Sequence, residues 1–226
     1  MKCILSSILG LFFIISSFSQ EAAFDWAVSF GSSTVEGNRD MDVDDEGNSY
    51  ITGWFISEID FDPGPSVYEL APVGGIDCYI TKISNDGDFE WAVAIGSVGN
   101  EEGLNIAVTE AGYVYITGYF QGTVDFDPSD AVQEMTAVGG EDSFTLKLDT
   151  DGNFLWVRTT GDALEDNGKS IITDDADNVY ISGFYNGTVD FDPGPSIFDI
   201  TASGEKDVFI QKLNSDGDFI WARSFG

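Results

Sequence analysis

The sequence predicts an all-β fold: a partial β-propeller of three 65-residue blades, each of four main strands plus an inserted hairpin, with an extra N-terminal outer strand. Three observations predict it. The tetrapeptide Asp-Phe-Asp-Pro recurs at Asp60–Pro63, Asp125–Pro128 and Asp190–Pro193, with an offset of 65 residues both times. The same offset relates Trp26, Trp91, Trp156 and Trp221, then Gly53, Gly118 and Gly183, then Asp77, Asp142 and Asp207. Beyond the N-terminal segment, no stretch carries a 3.6-residue apolar period, and short β-rich runs alternate with glycine turns instead. A tandem array of strand-only units has to bury its faces by stacking one unit on the next.

Taken in order, Met1–Ser19 reads as a secretory signal. Lys2 supplies the positive end, Ile4–Ile15 a short apolar core, and Ser17-Phe18-Ser19 a small-residue cleavage site. That core is shorter than the ~20 residues of a membrane span. Residues 20–226 then form the array, with blades at about 32–95, 97–160 and 162–226. Phe24–Phe30 is expected as an outer strand without a blade of its own, and Ser32–Arg39 as a polar loop. Asp40–Asp45 and Ser49–Phe55 flank Glu46-Gly47-Asn48 as a hairpin, repeated at Asn105–Thr109 with Tyr113–Phe120 and at Ser170–Asp174 with Val179–Tyr185.

An inserted hairpin follows. Gly122–Asp127 and Gly187–Asp192 alternate as strands, and Pro63, Pro128 and Pro193 end such strands because proline cannot donate to a ladder. The short runs Val67–Leu70, Val132–Thr136 and Ile197–Thr201 return. Each repeat closes with a hairpin: Cys78–Ile83, Ser143–Leu148 and Val208–Leu213 turn through Asp-Gly into Phe89–Ile95, Phe154–Thr159 and Phe219–Phe225. Asp-Gly favours the primed turns that match strand twist. Four strands per repeat without helices suits a propeller blade, and three blades fall short of the ~4–8 that close a ring. The expected outcome is a segment of a longer propeller, whose missing blades on the same chain would be partners for its open faces.

The run Asp45-Glu46-Gly47-Asn48-Ser49-Tyr50-Ile51-Thr52-Gly53 resembles the core of the secreted bacterial beta-propeller repeat family, the SBBP repeats. So does Asp207-Val208-Phe209-Ile210-Gln211-Lys212-Leu213 with its Asp-Gly turn and Trp221, and the similarity runs across Phe24–Gly226. Tyr113 stands where the family carries Asn, and Asp177 where it carries Gly; both fall in turns. The resemblance implies a propeller scaffold on exported or surface proteins, with no activity established for the family.

Nine basic against 40 acidic residues leave a formal charge of −31. That balance repels phosphate backbones, so nucleic acid is excluded as a partner, and anionic membrane surfaces are disfavoured. A charge of this size also keeps an exported protein soluble. The chain has no histidine, which excludes Ser-His-Asp and Cys-His catalysis and histidine-based zinc or iron sites. Cys78 is the only cysteine after the signal, so no intrachain disulfide is expected, and it reads as a small residue packed in a strand.

Carboxylates, lysines and aromatics remain. Alternation places both acids of each pair Asp60/Asp62, Asp125/Asp127 and Asp190/Asp192 on one face, where hard oxygens suit Ca²⁺. Two carboxylates supply fewer than the 6–8 oxygens Ca²⁺ takes, and the alternative is a solvated face whose second Asp caps the turn. Asp42–Gly47 imitates the start of an EF-hand loop but has Gly53 at position twelve, so it reads as a turn. Lys82, Lys147 and Lys212 are expected to pair with aspartates of their own blades. Trp54, Tyr119 and Phe184 form an in-register aromatic row, available for stacking on sugars or for packing between blades.

No segment breaks the repeat as a unique active site would. The expected function is therefore a non-catalytic, exported scaffold or binding module, secreted or at the cell surface, contacting extracellular protein or glycan, with no cofactor required. The alternatives are part of a carbohydrate-active or other hydrolytic propeller, whose paired acids would act across a sugar, and a Ca²⁺-stabilised adhesion module.

Overall fold

The computed structural model describes residues 24–226, so the expected signal segment lies outside the described residues. Blade 1 comprises Glu36–Val43 (β1), Ser49–Phe55 (β2), Ile59–Asp60 (β3), Glu69–Leu70 (β4), Asp77–Ile83 (β5) and Phe89–Ile95 (β6). Blade 2 repeats this as Glu102–Val108 (β7), Tyr113–Phe120 (β8), Thr123–Asp125 (β9), Glu134–Thr136 (β10), Asp142–Asp149 (β11) and Phe154–Thr160 (β12). Blade 3 comprises Asn167–Thr173 (β13), Val179–Tyr185 (β14), Thr188–Asp190 (β15), Asp199–Thr201 (β16), Asp207–Leu213 (β17) and Phe219–Phe225 (β18).

Each blade is a four-stranded antiparallel sheet in the order β1-β2-β5-β6, β7-β8-β11-β12 and β13-β14-β17-β18, and the short strands pair separately as two-stranded hairpins. Among the described residues there is no helix, and therefore none long and apolar enough to cross a membrane.

The core lies between blades. One buried cluster joins Tyr50, Cys78, Ile80 and Ile95 of blade 1 to Ile106, Val114, Ile116 and Phe144 of blade 2. A second joins Ala107, Tyr115 and Trp156 of blade 2 to Ile171, Val179 and Phe209 of blade 3. The inserted hairpins contribute through their central phenylalanines: Phe61, Phe126 and Phe191 are fully buried, and Phe126 stacks 5.1 Å from Phe144. Alternation thus does in each insert what it does in a longer strand, sending one side chain in and its neighbours out.

Side chains on the inner strands set the register between blades. Asp40 Oδ2 accepts from the side-chain amide of Asn105 and from the Ile106 amide at 3.1 Å. Asn105 Oδ1 repeats the contact on the Ile171 amide at 2.6 Å. Gly103 and Gly168 allow the close approach, since a Cβ on either would run into Thr52 and Cys78, or Thr117 and Ser143, of the preceding blade.

Three expectations need correction. Phe24–Phe30 forms no strand, because no strand among the described residues pairs with it. It nonetheless occupies an outer strand's position: Trp26 donates to Asn85 O at 2.7 Å and Phe30 packs 5.3 Å from Phe61. Glu36–Arg39, read as loop, is strand, as are its counterparts in the other blades. The register shifts between Asn38 and Asp40, Gly103 and Asn105, and Gly168 and Ser170, and such a bulge erases the two-residue alternation that reveals a strand.

Finally, the Asp-Gly turns are not primed. Gly87, Gly152 and Gly217 have φ of 86°, 82° and 79°, while the preceding aspartates do not enter the left-handed region. Gly87 N bonds Ser84 O at 2.9 Å and Ser84 N bonds Asp88 O at 2.8 Å, which is the longer hairpin loop with glycine at its left-handed position.

Candidate binding surface

The bulge residues Arg39, Leu104 and Lys169 stand on the inner strands, at the end of the blades where the crossing loops arrive. Bulges re-aim side chains, and here two of the three are cations. Arg39 forms an ion pair with Glu102 of the next blade. Tyr119 Oη donates to the same carboxylate, to Oε2 at 3.0 Å. Burial, then the Glu102 charge, raises the Tyr119 phenol above its ordinary range, so it stays a donor.

Blade 3 continues the cluster. Asn167 Nδ2 donates to Glu141 Oε2 at 3.0 Å, and Lys169 Nζ donates to Asn167 Oδ1 at 3.0 Å. Lys169 and Lys206 lie 5.1 Å and 4.1 Å from the ring centre of Phe184. Lys206 also pairs with Glu165 at 2.8 Å. Burial lowers the Lys169 ammonium, although Glu102 and Glu141 pull it the other way.

The aromatic row falls in this region. Trp54, Tyr119 and Phe184 pair across the ladder with Gly37, Glu102 and Asn167, so each ring sits beside the inner strand that carries the ions. All three are half-buried. The indole Nε1 of Trp54 is buried with no hydrogen-bond partner. The surface therefore offers aromatic faces next to a phenol, an amide and paired charges, which suits a ligand that is part apolar and part hydroxylated or charged.

The acids singled out in the sequence lie elsewhere, on the inserted hairpins. Asp60, Asp125 and Asp190 each use Oδ1 to accept two backbone amides, from Asp62 and Tyr68, Asp127 and Gln133, and Asp192 and Phe198, at 2.8–3.1 Å. Asp62, Asp127 and Asp192 cap the following turns through Gly64, Ser129 and Gly194 at 2.7–2.9 Å. Their geometry is that of turn-capping acids. Among the described residues no three acidic, cysteine or histidine side chains gather as a metal site. Asp44 likewise caps its own turn, accepting from the Glu46 and Asn48 amides at 3.0 Å and 2.9 Å.

The expectation for the lysines holds at one position of three. Lys212 pairs with Asp174 at 3.1 Å and donates to Tyr180 Oη at 2.6 Å. Lys147 instead donates to Ser215 O of the next blade at 2.8 Å and lies 3.6 Å from the Tyr113 ring centre. Lys82 sits 5.4 Å over Tyr50. Exposed turn carboxylates keep their water, so a carbonyl or ring face close by competes well for the ammonium. Cys78 is fully buried and its thiol is pushed up to about 12 by burial, which leaves it unreactive.

Sequence reasoning gave Asp77 and Asp142 only as repeat positions and passed over Glu101 and Asp166, all four of them buried. Glu101 accepts from Ser97 N at 2.7 Å and Ser97 Oγ at 2.9 Å, and Asp166 accepts from Asp162 N at 2.7 Å and Asn186 N at 2.8 Å. Asp77 and Asp142 close over Gly96 and Gly161, accepting from Val73 N at 2.7 Å and Val138 N at 3.0 Å. A signal existed, because Glu36, Glu101 and Asp166 share the 65-residue register.

No family model matches the chain. An uncharacterized WD repeat-containing protein, L264 of Acanthamoeba polyphaga mimivirus, is 27% identical over 167 residues. The match covers 62% of this chain and 12% of that relative. WD repeats build four-stranded propeller blades, the unit found here three times over. The chain is a partial β-propeller. It spans about an eighth of the length of the relative it matches. A propeller-type repeat of this kind suggests a binding or scaffold module.

Proposed function

We propose that this propeller segment is an exported, non-catalytic scaffold or binding module of the SBBP type, and that it contacts extracellular glycan or protein through the inner-strand surface around Tyr119 and Phe184. One observation carries the reading: the aromatic row lies beside the Arg39–Glu102–Tyr119 cluster, where stacking faces and polar groups converge. In a chain of charge −31 with nine Lys and Arg in all, Arg39, Lys169 and Lys206 are gathered along this one edge. An aromatic beside a paired charge is the composition of an interface anchor. The signal-like composition of residues 1–19 and the resemblance of the repeats support export.

The test is retention of the labelled protein on glycan and extracellular-protein arrays. Specific retention should be lost in the Tyr119→Ala, Phe184→Ala double variant and kept in Asp62→Asn, which alters only an inserted hairpin. Absence of any retention, or retention indifferent to the double variant, would sink the proposal.

A further inference from the structure

Two grooves on the outer rim are the same groove one repeat apart. One, of about 360 Å³, lies between the outer strand β6 and blade 2 and is lined by Trp91, Val93, Asp127, Asp151 and Gly152. The other, of about 370 Å³, lies between Phe24–Phe30 and blade 1 and is lined by Val28, Asp62 and Gly87. Val93, Asp127 and Gly152 follow Val28, Asp62 and Gly87 by 65 residues. In each groove an indole lies against the turn glycine, Trp91 on Gly152 and Trp26 on Gly87.

At the next repeat the position of Val28 and Val93 is Arg158, and the chain fills the slot itself. Arg158 Nε donates to Gly217 O and Nη2 to Asp216 O, both at 3.0 Å, and its Cζ lies 5.4 Å from the ring centre of Trp156. A Cβ on Gly217 would meet both Arg158 and Trp156, whereas the nearest atoms to one on Gly152 or Gly87 all belong to Trp91 or Trp26. The guanidinium thus sits beside the ring in a place left open at the other two turns. Its planar fork reaches two successive carbonyls at once, which a compact ammonium does less well. The ring adds cation–π attraction.

The groove beside Trp91 keeps the same acceptors. Among the described residues nothing donates to the carbonyls of Asp151 and Gly152, the counterparts of Asp216 and Gly217. The Asp151 carboxylate is exposed and enters no ion pair among the described residues, and Asp127 uses only Oδ1, on its own turn. Carbonyls and carboxylates beside an indole, in a chain of charge −31, complement a cation with several donors. We infer that the groove beside Trp91, and its counterpart at Val28, takes an arginine side chain of a partner polypeptide, as the groove beside Trp156 takes the chain's own Arg158. These grooves lie along the outer strands, and the inference does not depend on the inner-strand surface proposed above.

The experiment titrates the full chain with the blocked peptide Gly-Gly-Arg-Gly-Gly and with its lysine and citrulline forms, following the assigned indole Nε1–H resonances by NMR. The arginine peptide should shift Trp91 and Trp26 and leave Trp156 in place. The lysine form should bind at least about tenfold more weakly, and the neutral citrulline form should shift neither. Val93→Arg should abolish the Trp91 response and spare that of Trp26, while Arg158→Val should open the third groove so that Trp156 responds. Both variants install a residue the repeat already carries at that register, so each should fold, and thermal melts confirm it. No Trp91 response to the arginine peptide, an equal response to the lysine or citrulline form, a Trp91 response that survives Val93→Arg, or a Trp156 that stays silent in Arg158→Val would each overturn the inference.

Discussion

The indole Nε1 of Trp91 donates to the carbonyl of Thr150, 2.9 Å away and 59 residues on, in the turn of the next blade. Trp156 makes the same bond to Ser215, and Trp26 to Asn85. Each ring lies over the glycine of the turn it reaches, Gly152, Gly217 and Gly87 respectively. The repeated tryptophan thus joins the outer edge of one blade to the turn of its successor. Trp91→Phe should lose the hydrogen bond and little packing, costing about 1 kcal/mol, while Trp91→Ala should cost about 3–5 kcal/mol. Chemical denaturation of the two variants checks the difference; equal losses would mean the bond contributes nothing.

Asp177 occupies a turn position that Gly47 and Gly112 fill in the other blades, and its φ is 56° against their 86° and 83°. A non-glycine residue in the left-handed region carries strain. Asp177→Gly relieves that strain but also frees the unfolded chain, so a net gain of roughly 0.5–1 kcal/mol is expected. A loss of stability on equilibrium unfolding would show that the Asp177 side chain contributes more than its backbone costs.

Gly103 and Gly168 sit where a methyl group meets the preceding blade. Gly103→Ala and Gly168→Ala should each destabilise by about 1–3 kcal/mol through overpacking, and Asn38→Gly should be nearly neutral because Asn38 faces solvent. Thr52→Ser removes a methyl but leaves Oγ1, the atom a Cβ on Gly103 meets first, so it should not rescue Gly103→Ala, whereas Thr52→Ala should recover part of the loss. Thermal melts of the three single and two double variants decide this.

The buried crossing acids make stability depend on pH. Burial pushes the Glu101 carboxyl up to about 7 and that of Asp166 up to about 6. In the unfolded chain both titrate near 4, so between about pH 4 and 7 the folded state holds protons that the unfolded chain has released. Stability then falls as pH rises through that window, by an amount on the order of 1–3 kcal/mol. At lower pH the sign reverses: hydrogen bonds from Asn178 and Lys212 hold Asp174 well below the ordinary range, and its contribution is lost on protonation. Tm should peak near pH 4. The decline from there toward pH 7 should flatten in the Glu101→Gln, Asp166→Asn double variant, and an unchanged slope would remove these two acids as its cause.

Most of the blade plan was legible in advance, because each strand carries its own alternation and each turn its glycine or Asp-Gly pair. The main strands beginning at Ser49, Asp77 and Phe89 appear within a residue or two of where the pattern puts them. The inner strands were only half legible, since the bulge at Arg39, Leu104 and Lys169 breaks the alternation, and that same bulge builds the candidate surface. The aromatic row was visible as a row, but nothing local links Trp54, Tyr119 or Phe184 to Glu102 and Lys169.

By itself the amino-acid order determined the repeat, the strand-only architecture and the absence of histidine chemistry, since periodicity and composition are properties of the chain. Tertiary structure decided which carboxylates are buried and which lysines find an acid, because those outcomes depend on the neighbouring blade. It also decided that Phe24–Phe30 stays unpaired while Trp26 keeps its place. A ladder needs a second edge, whereas an indole needs only one carbonyl.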